Sequence, residues 1–191
     1  TVTGLKAGNS YTNLVFSGAG DYTLSSDLTI AGTMTVGASE TVNLGSNSLL
    51  GAGSVANSGT VQLTGSNTTM KSITGGTVEY TGATVTGLKA GNSYNNLVFS
   101  GTGDYTLDSS VTVLGNYSQS GSTVRQNADF SVAGDYAQTG GSFLDASPLS
   151  HSFSVAGSFS LPYGTSAFRR YTGLGTQGNP FVIRDLYDLQ G

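Results

Sequence analysis

The sequence predicts an all-β protein, a parallel β-solenoid (β-helix) with coils of about 17–23 residues. Three observations point there. Short motifs recur at coil-sized intervals. Gly59-Thr60-Val61-Gln62-Leu63-Thr64-Gly65 returns as Gly76-Thr77-Val78-Glu79-Tyr80-Thr81-Gly82. Val113-Leu114-Gly115-Asn116-Tyr117 returns as Val132-Ala133-Gly134-Asp135-Tyr136 and as Val155-Ala156-Gly157-Ser158-Phe159, with glycine offsets of 19 and 23. The second observation is alternation: Tyr105-Thr106-Leu107, Val111-Thr112-Val113 and Phe130-Ser131-Val132 put alternate residues on one face, the period of a strand. The third is that Tyr117, Tyr136 and Phe159 hold the same place in successive units. The competing architecture, an antiparallel β-sandwich, also supplies short strands and glycine turns. It does not explain why the units recur below about 25 residues with one in/out pattern.

Each element follows from this reading. Leu, Val, Ile, Tyr and Phe point into the coil, and Ser and Thr point out. One unit cannot bury its apolar face alone, so stacking on the next does so. Glycines stand at the corners, where backbones approach closely. Only three prolines occur, as suits strands that donate every ladder hydrogen bond. Ile30-Ala31-Gly32-Thr33-Met34 is the matching corner of the first half. A longer duplication, of period 83, overlies the coils: segments 1–30 and 84–113 are identical at 24 of 30 positions. About nine coils, at about 4.8 Å each, make a rod of about 45 Å.

The composition excludes several classes. Gly 29, Ser 27 and Thr 25 fill about two positions in five, and charged residues are 9%, against about 25% in an ordinary domain. No cysteine is present and His151 is the only histidine, so neither a disulfide framework nor a Cys/His zinc site is available. A net charge of −4 with seven basic residues argues against nucleic acid. No apolar run reaches the roughly 18–20 residues of a membrane-spanning helix. The apolar fraction of 37%, with 10 Tyr and 8 Phe, argues against disorder.

The solenoid is expected over residues 1–161 and a different segment over 162–191. This tail holds three of the seven basic residues (Arg169, Arg170 and Arg184) and two of the three prolines. Phe181-Val182-Ile183 reads as a short strand; Leu186, Tyr187 and Leu189 read as a helical turn or another coil. These six are the candidate assembly residues, able to add a strand to a neighbouring edge. Neither terminus reads as a cap, and the first residue already lies inside the repeat motif. An excerpt of a longer rod and a subunit stacking end to end both fit.

The stretch Tyr-x-Asn-Leu-x-Phe-Ser-Gly-x-Gly-x-Tyr-Thr-Leu, at Tyr11–Leu24 and Tyr94–Leu107, resembles the tandem β-strand repeats of filamentous-haemagglutinin-like and autotransporter-passenger-like bacterial surface proteins. The ending Gly-Asn-Pro-Phe-x-Ile…Asp-Leu-Gln, at Gly178–Gln190, resembles a segment that opens repeat units in the same proteins. The resemblance implies an extracellular or cell-surface location and a structural or adhesive role.

Sites for chemistry are few. Asp21, Asp104 and Asp135 recur after glycine and before tyrosine; they read as turn residues bonding their own backbone, with a calcium-binding or glycan-lining row as the alternative. The calcium-solenoid signature Gly-Gly-x-Gly-x-Asp is missing. Asp108, Asp129 and Asp135, with Arg125 as the nearby base, are the candidates for a carbohydrate-cleaving site. His151 reads as a solvated residue in a serine-rich loop. Arg169 and Arg170 are candidates to contact an anion, such as a glycan acid, or a partner's carboxylates. Asn9, Asn13, Asn92 and Asn96 fall at repeat-equivalent corners and read as structural ladders. Thr-x-Thr pairs, at Thr1/Thr3, Thr33/Thr35 and Thr84/Thr86, are too few for an ice-binding face. The expectation is a structural or interaction protein, not an enzyme, with no cofactor. Its partners are further copies end to end, flanking repeats or surface glycans. A carbohydrate-binding or carbohydrate-cleaving β-helix is the alternative.

Overall fold

The computed structural model describes every residue except 1, 4–7, 83, 146, 148, 149, 162–166, 184 and 191, with the side chains of 2, 3, 188 and 190 also left out. The chain winds into a parallel β-solenoid of about eight turns, three strands to a regular coil. The first three coils are β1 (Val2–Thr3), β2 (Ser10–Tyr11), β3 (Leu14–Phe16); β4 (Asp21–Thr23), β5 (Leu28–Ile30), β6 (Thr33–Val36); and β7 (Thr41–Asn43), β8 (Leu49–Leu50), β9 (Ser54–Asn57). After β10 (Thr60–Leu63) no strand forms until β11 (Thr77–Tyr80). β12 (Val85–Thr86) and β13 (Ser93–Tyr94) complete that coil. Two full coils follow: β14 (Asn96–Phe99), β15 (Asp104–Leu107), β16 (Val111–Val113); and β17 (Tyr117–Gln119), β18 (Thr123–Gln126), β19 (Phe130–Val132). The last are β20 (Tyr136–Gln138), β21 (Ser142–Asp145), β22 (Phe153–Val155), then β23 (Phe159–Ser160) and β24 (Ala167–Arg169). Among the described residues a single short helix, α1 (Leu186–Gln190), lies in the tail.

One sheet of nine strands, β1-β4-β7-β10-β11-β14-β17-β20-β23, runs along the rod. The other two faces are each built from two shorter sheets: β2-β5-β8 and β12-β15-β18-β21-β24 on the second, β3-β6-β9 and β13-β16-β19-β22 on the third. Among the described residues every strand pair is parallel, which excludes the antiparallel sandwich. Steps between paired residues run from 17 (Thr60↔Thr77) to 25 (Ser142↔Ala167), slightly wider than the sequence repeats imply. The solenoid also extends past residue 161. Phe168 of β24 points inward and pairs with Phe143, so strand alternation is present again at Ala167–Arg169, beyond the boundary expected at residue 162.

The duplication does not stack like upon like. Residues 83 apart correspond, so β1, β2 and β3 match β12, β13 and β14. Pairing within each copy is preserved: Val2↔Tyr22 becomes Val85↔Tyr105, and Ser10↔Thr29 becomes Ser93↔Thr112. The face is not preserved. β1 lies on the long sheet and β12 on the second face; β3 lies on the third face and β14 on the long sheet. The second copy is therefore advanced by one face, and one period of the duplication spans four and one-third coils. The shift coincides with residues 64–76, where the backbone passes two faces without strands. Asn67, buried there, donates its side-chain amide to the carbonyls of Gly45 and Asn47 on the preceding coil.

The recurring Gly-Asn/Asp/Ser corners have one cause. Asn13 Oδ1 accepts the Thr33 amide at 2.8 Å, Asn96 the Asn116 amide at 2.9 Å, Asn116 the Asp135 amide at 2.9 Å, and Asp135 the Ser158 amide at 2.8 Å. Each side chain satisfies a backbone donor one coil away. The glycine before that donor must lack a side chain: a Cβ on Gly134 would lie 2.4 Å from Asn116 Oδ1 and 2.5 Å from Gly115 O.

The core changes along the rod. Near the N-terminus it is aliphatic, with Leu28, Met34, Val36, Val42, Leu49 and Val61 buried. Further on it is aromatic. Tyr117 stacks on Tyr136 at 4.7 Å, Tyr136 on Phe159 at 4.9 Å, Phe130 on Phe153 at 5.7 Å and Phe143 on Phe168 at 5.5 Å. The buried phenols are hydrogen-bonded, as their polar tips require: Tyr117 donates to Gln119 Oε1 at 2.8 Å and Tyr136 to Gln138 Oε1 at 2.9 Å.

Gly134→Ala is expected to cost about 2 kcal/mol or more by urea denaturation, because backbone blocks the new methyl. Gly82→Ala, where a Cβ meets nothing within 4 Å, is expected to stay within about 0.5 kcal/mol. Burial also pushes the Tyr80 phenol up from 10.0 to about 12, and the Tyr94, Tyr117 and Tyr136 phenols upward as well. The unfolded chain loses these protons near pH 10 while the folded chain keeps them, so the stability these phenols contribute is flat below that pH and falls between about 10 and 12. Denaturation midpoints measured from pH 8 to 12 check this; a midpoint unchanged up to pH 12 contradicts it.

Candidate functional site

The side faces carry outward Ser and Thr, as in the column Ser93, Thr112, Ser131, Ser154. The more distinctive chemistry lies at the C-terminal end. There the inward position of β21 is Asp145, fully buried, and Gln126 of β18 lies beneath it. Arg170, just past β24, is 0% exposed. Its Nε donates to Gln126 Oε1 at 3.1 Å and lies 4.0 Å from Asp145 Oδ2. Its Nη1 meets Asp185 Oδ2 at 3.0 Å, and Nη2 meets the His151 carbonyl at 3.2 Å. The guanidinium carbon sits 4.9 Å over the Phe153 ring. A buried guanidinium survives only when its donors and charge are matched in this way. His151 Nδ1 lies 3.2 Å from Asp145 Oδ1 and completes the cluster.

The tail folds over this cluster. Tyr187, on α1, packs edge-on against Phe153 and Phe159 at 5.0 Å each. Its hydroxyl donates to the Val155 carbonyl at 3.0 Å and accepts the Val155 amide at 3.2 Å. Val155 belongs to β22, the terminal strand of its sheet, so one phenol satisfies both backbone groups of an edge residue. The tail thus caps part of this end, where the sequence suggests no cap.

Phe181, Val182 and Ile183 are not a free strand. Val182 bridges Thr172 in antiparallel fashion, and Phe181 packs on Tyr171 at 4.8 Å. The turn between them buries little. Leu174 is 74% exposed, Phe181 51%, Val182 43%, Ile183 47%, Leu186 66% and Leu189 65%. Five of the six candidate assembly residues are therefore exposed and apolar, while Tyr187 serves inside the molecule.

Arg170, expected as a contact for anions or partners, is instead an internal pin, shielded from both. Arg169 is exposed on β24. Arg184 lies outside the described residues. Asp21, Asp104 and Asp135 do not form a row. Asp21 is on the long sheet and Asp104 on the second face, where it pairs with Arg125 at 2.8 Å and raises the arginine's pKa; Asp135 bonds the Ser158 amide. The phase shift between copies separates the first two. Asp129 accepts the Ser152 amide at 2.7 Å, which lowers its carboxyl pKa, and Asp108 is exposed. Among the described residues no three His, Asp or Glu side chains converge as a metal site. His151, expected to be solvated, is only partly exposed. Asn13 and Asn96 are structural, through amides of the next coil rather than through each other. Asn9 bonds Ser26 Oγ at 2.6 Å, and the Asn92 carbonyl accepts the Thr112 amide.

Asp145, Gln126, Asp185 and Leu174 stand out only in the structure. Inward Gln126 and Asp145, in the strand column that holds Leu107 one coil before Gln126, were the available signal. No family model, curated protein or solved structure matches the chain.

Arg170→Ala would leave Asp145 buried with its opposite charge removed and should cost about 3–5 kcal/mol, read by urea denaturation. Loss of less than about 1 kcal/mol would show that the pin is dispensable.

Proposed function

We propose that the chain is an extracellular structural module of a bacterial surface protein or fibre, of the filamentous-haemagglutinin-like or autotransporter-passenger-like kind, that stacks end to end. The observation that carries this is the apolar surface around Leu174, Phe181, Ile183, Leu186 and Leu189 at one end of a rod. Exposed apolar surface of this kind marks contact with another molecule. The opposite end presents β1, β2 and β3 as edge strands. Two different ends on one rod make a head-to-tail contact, which propagates rather than closes. The parallel, glycine-cornered stack, poor in charge, serves length and stiffness, and adhesion would be carried on the flanks.

Negative-stain electron microscopy across a concentration series tests the reading. Filaments are expected from the native chain, and short discrete rods from the triple variant Phe181→Ser, Ile183→Ser, Leu186→Ser. Discrete rods from the native chain at every concentration, or filaments unaffected by the triple change, would overturn it.

A further inference from the structure

The duplicated segment is present in two settings within one molecule, and the second shows what the first lacks. In the second copy Tyr80 of β11 stacks on Phe99 at 5.3 Å, meets Tyr105 edge-on at 5.4 Å, and shares a hydrogen bond with the Tyr94 hydroxyl at 3.2 Å. β11 also pairs with β14 over four residues, from Thr77↔Asn96 to Tyr80↔Phe99. Tyr94 and Tyr105 are then 0% exposed.

The same residues stand at the N-terminal end as Tyr11, Phe16 and Tyr22. There β3, the counterpart of β14, pairs with β6 alone and forms the edge of its sheet. Tyr11 and Tyr22 are only partly buried. The Tyr11 hydroxyl donates to the Gly8 carbonyl at 2.6 Å, a bond that Tyr94 also makes to Gly91, but it lacks the second hydroxyl that Tyr80 supplies to Tyr94; the Tyr22 hydroxyl donates to the Ser17 carbonyl at 2.8 Å. Among the described residues nothing takes the place that Tyr80 holds in the second copy. Two near-identical surfaces thus differ by one covering coil, and the chain itself contains a strand that fits.

We propose that this N-terminal end is an acceptor for one further parallel coil, supplied by another solenoid unit, whose pairing strand carries inward Val and Tyr in the manner of Thr77–Tyr80. The partner's chemistry follows from the internal template. Its strand adds to β3 through backbone bonds, and alternate side chains supply selectivity. Its tyrosine fills the space bounded by Tyr11, Phe16 and Tyr22. The inference rests on the end-to-end reading above and names what one of the two ends receives.

The test fuses a copy of residues 60–83 ahead of Thr1, which recreates the junction found at Ala83–Thr84 and holds the strand at high local concentration. Amide exchange at Leu14, Val15 and Phe16 is followed by NMR in the full-length chain. At least one of these amides is expected to slow by about tenfold or more, and the slowing should vanish when the added segment carries Val78→Asp and Tyr80→Asp. Unchanged exchange, or equal slowing with the aspartate segment, would overturn the acceptor. Filaments of the native chain with unchanged exchange in the fusion would leave end-to-end assembly standing and remove only this acceptor. Slowed exchange without native filaments would do the reverse.

Discussion

Everything in this molecule depends on one constraint: each strand must lay its backbone, in parallel and in register, on the strand one coil earlier. A parallel ladder uses both edges of every strand and carries each inward side chain onto its counterpart one coil away. Like then packs on like, as Tyr117 does on Tyr136 and Phe143 on Phe168. Corners meet this regularity with side-chain-free positions. Backbones there close to distances that exclude a Cβ, and an Asn or Asp from the coil below reaches the amide that the bend leaves unpaired. Few charges, few prolines and abundant Gly, Ser and Thr are the compositional trace of the same rule.

The rule is indifferent to which face a given sequence occupies. The duplication is not a whole number of coils, and the second copy is simply rotated by one face. Pairing within each copy survives because neighbours one coil away move together. What does not survive is any surface pattern that needs the same residue in one column, which is why Asp21 and Asp104 look outward from different faces. The irregular segment 64–76 absorbs the change of phase, with Asn67 replacing strand pairing by side-chain bonds.

How much was legible followed from how local the signal was. Strand alternation, coil length and glycine corners repeat within about 20 residues, so the parallel solenoid could be read directly. The rotation could not, because it depends on how much chain the irregular coil takes up between β10 and β11. The C-terminal end was least legible. Arg169 and Arg170 are adjacent and chemically alike, yet one is exposed and the other buried against Asp145, Gln126 and Asp185, residues drawn from three distant places in the chain. Tyr187 reads as part of an apolar segment, and its hydroxyl contact with Val155 depends on the fold of the whole tail. The exposure of Phe181, Ile183, Leu186 and Leu189 was closer to expectation, since nothing in the repeat offers them a place in the core.

A distance along the long sheet tests the account most directly. The chain has no cysteine, so Thr23→Cys and Ser160→Cys can be spin-labelled cleanly. These residues occupy one outward column, linked through Asn43, Gln62, Glu79, Val98, Ser118 and Ala137. Seven coil steps separate them, so pulsed dipolar spectroscopy should find one narrow population near about 34 Å between backbones, at about 4.8 Å per step. A separation below about 25 Å, or a broad spread, would contradict a continuous parallel stack.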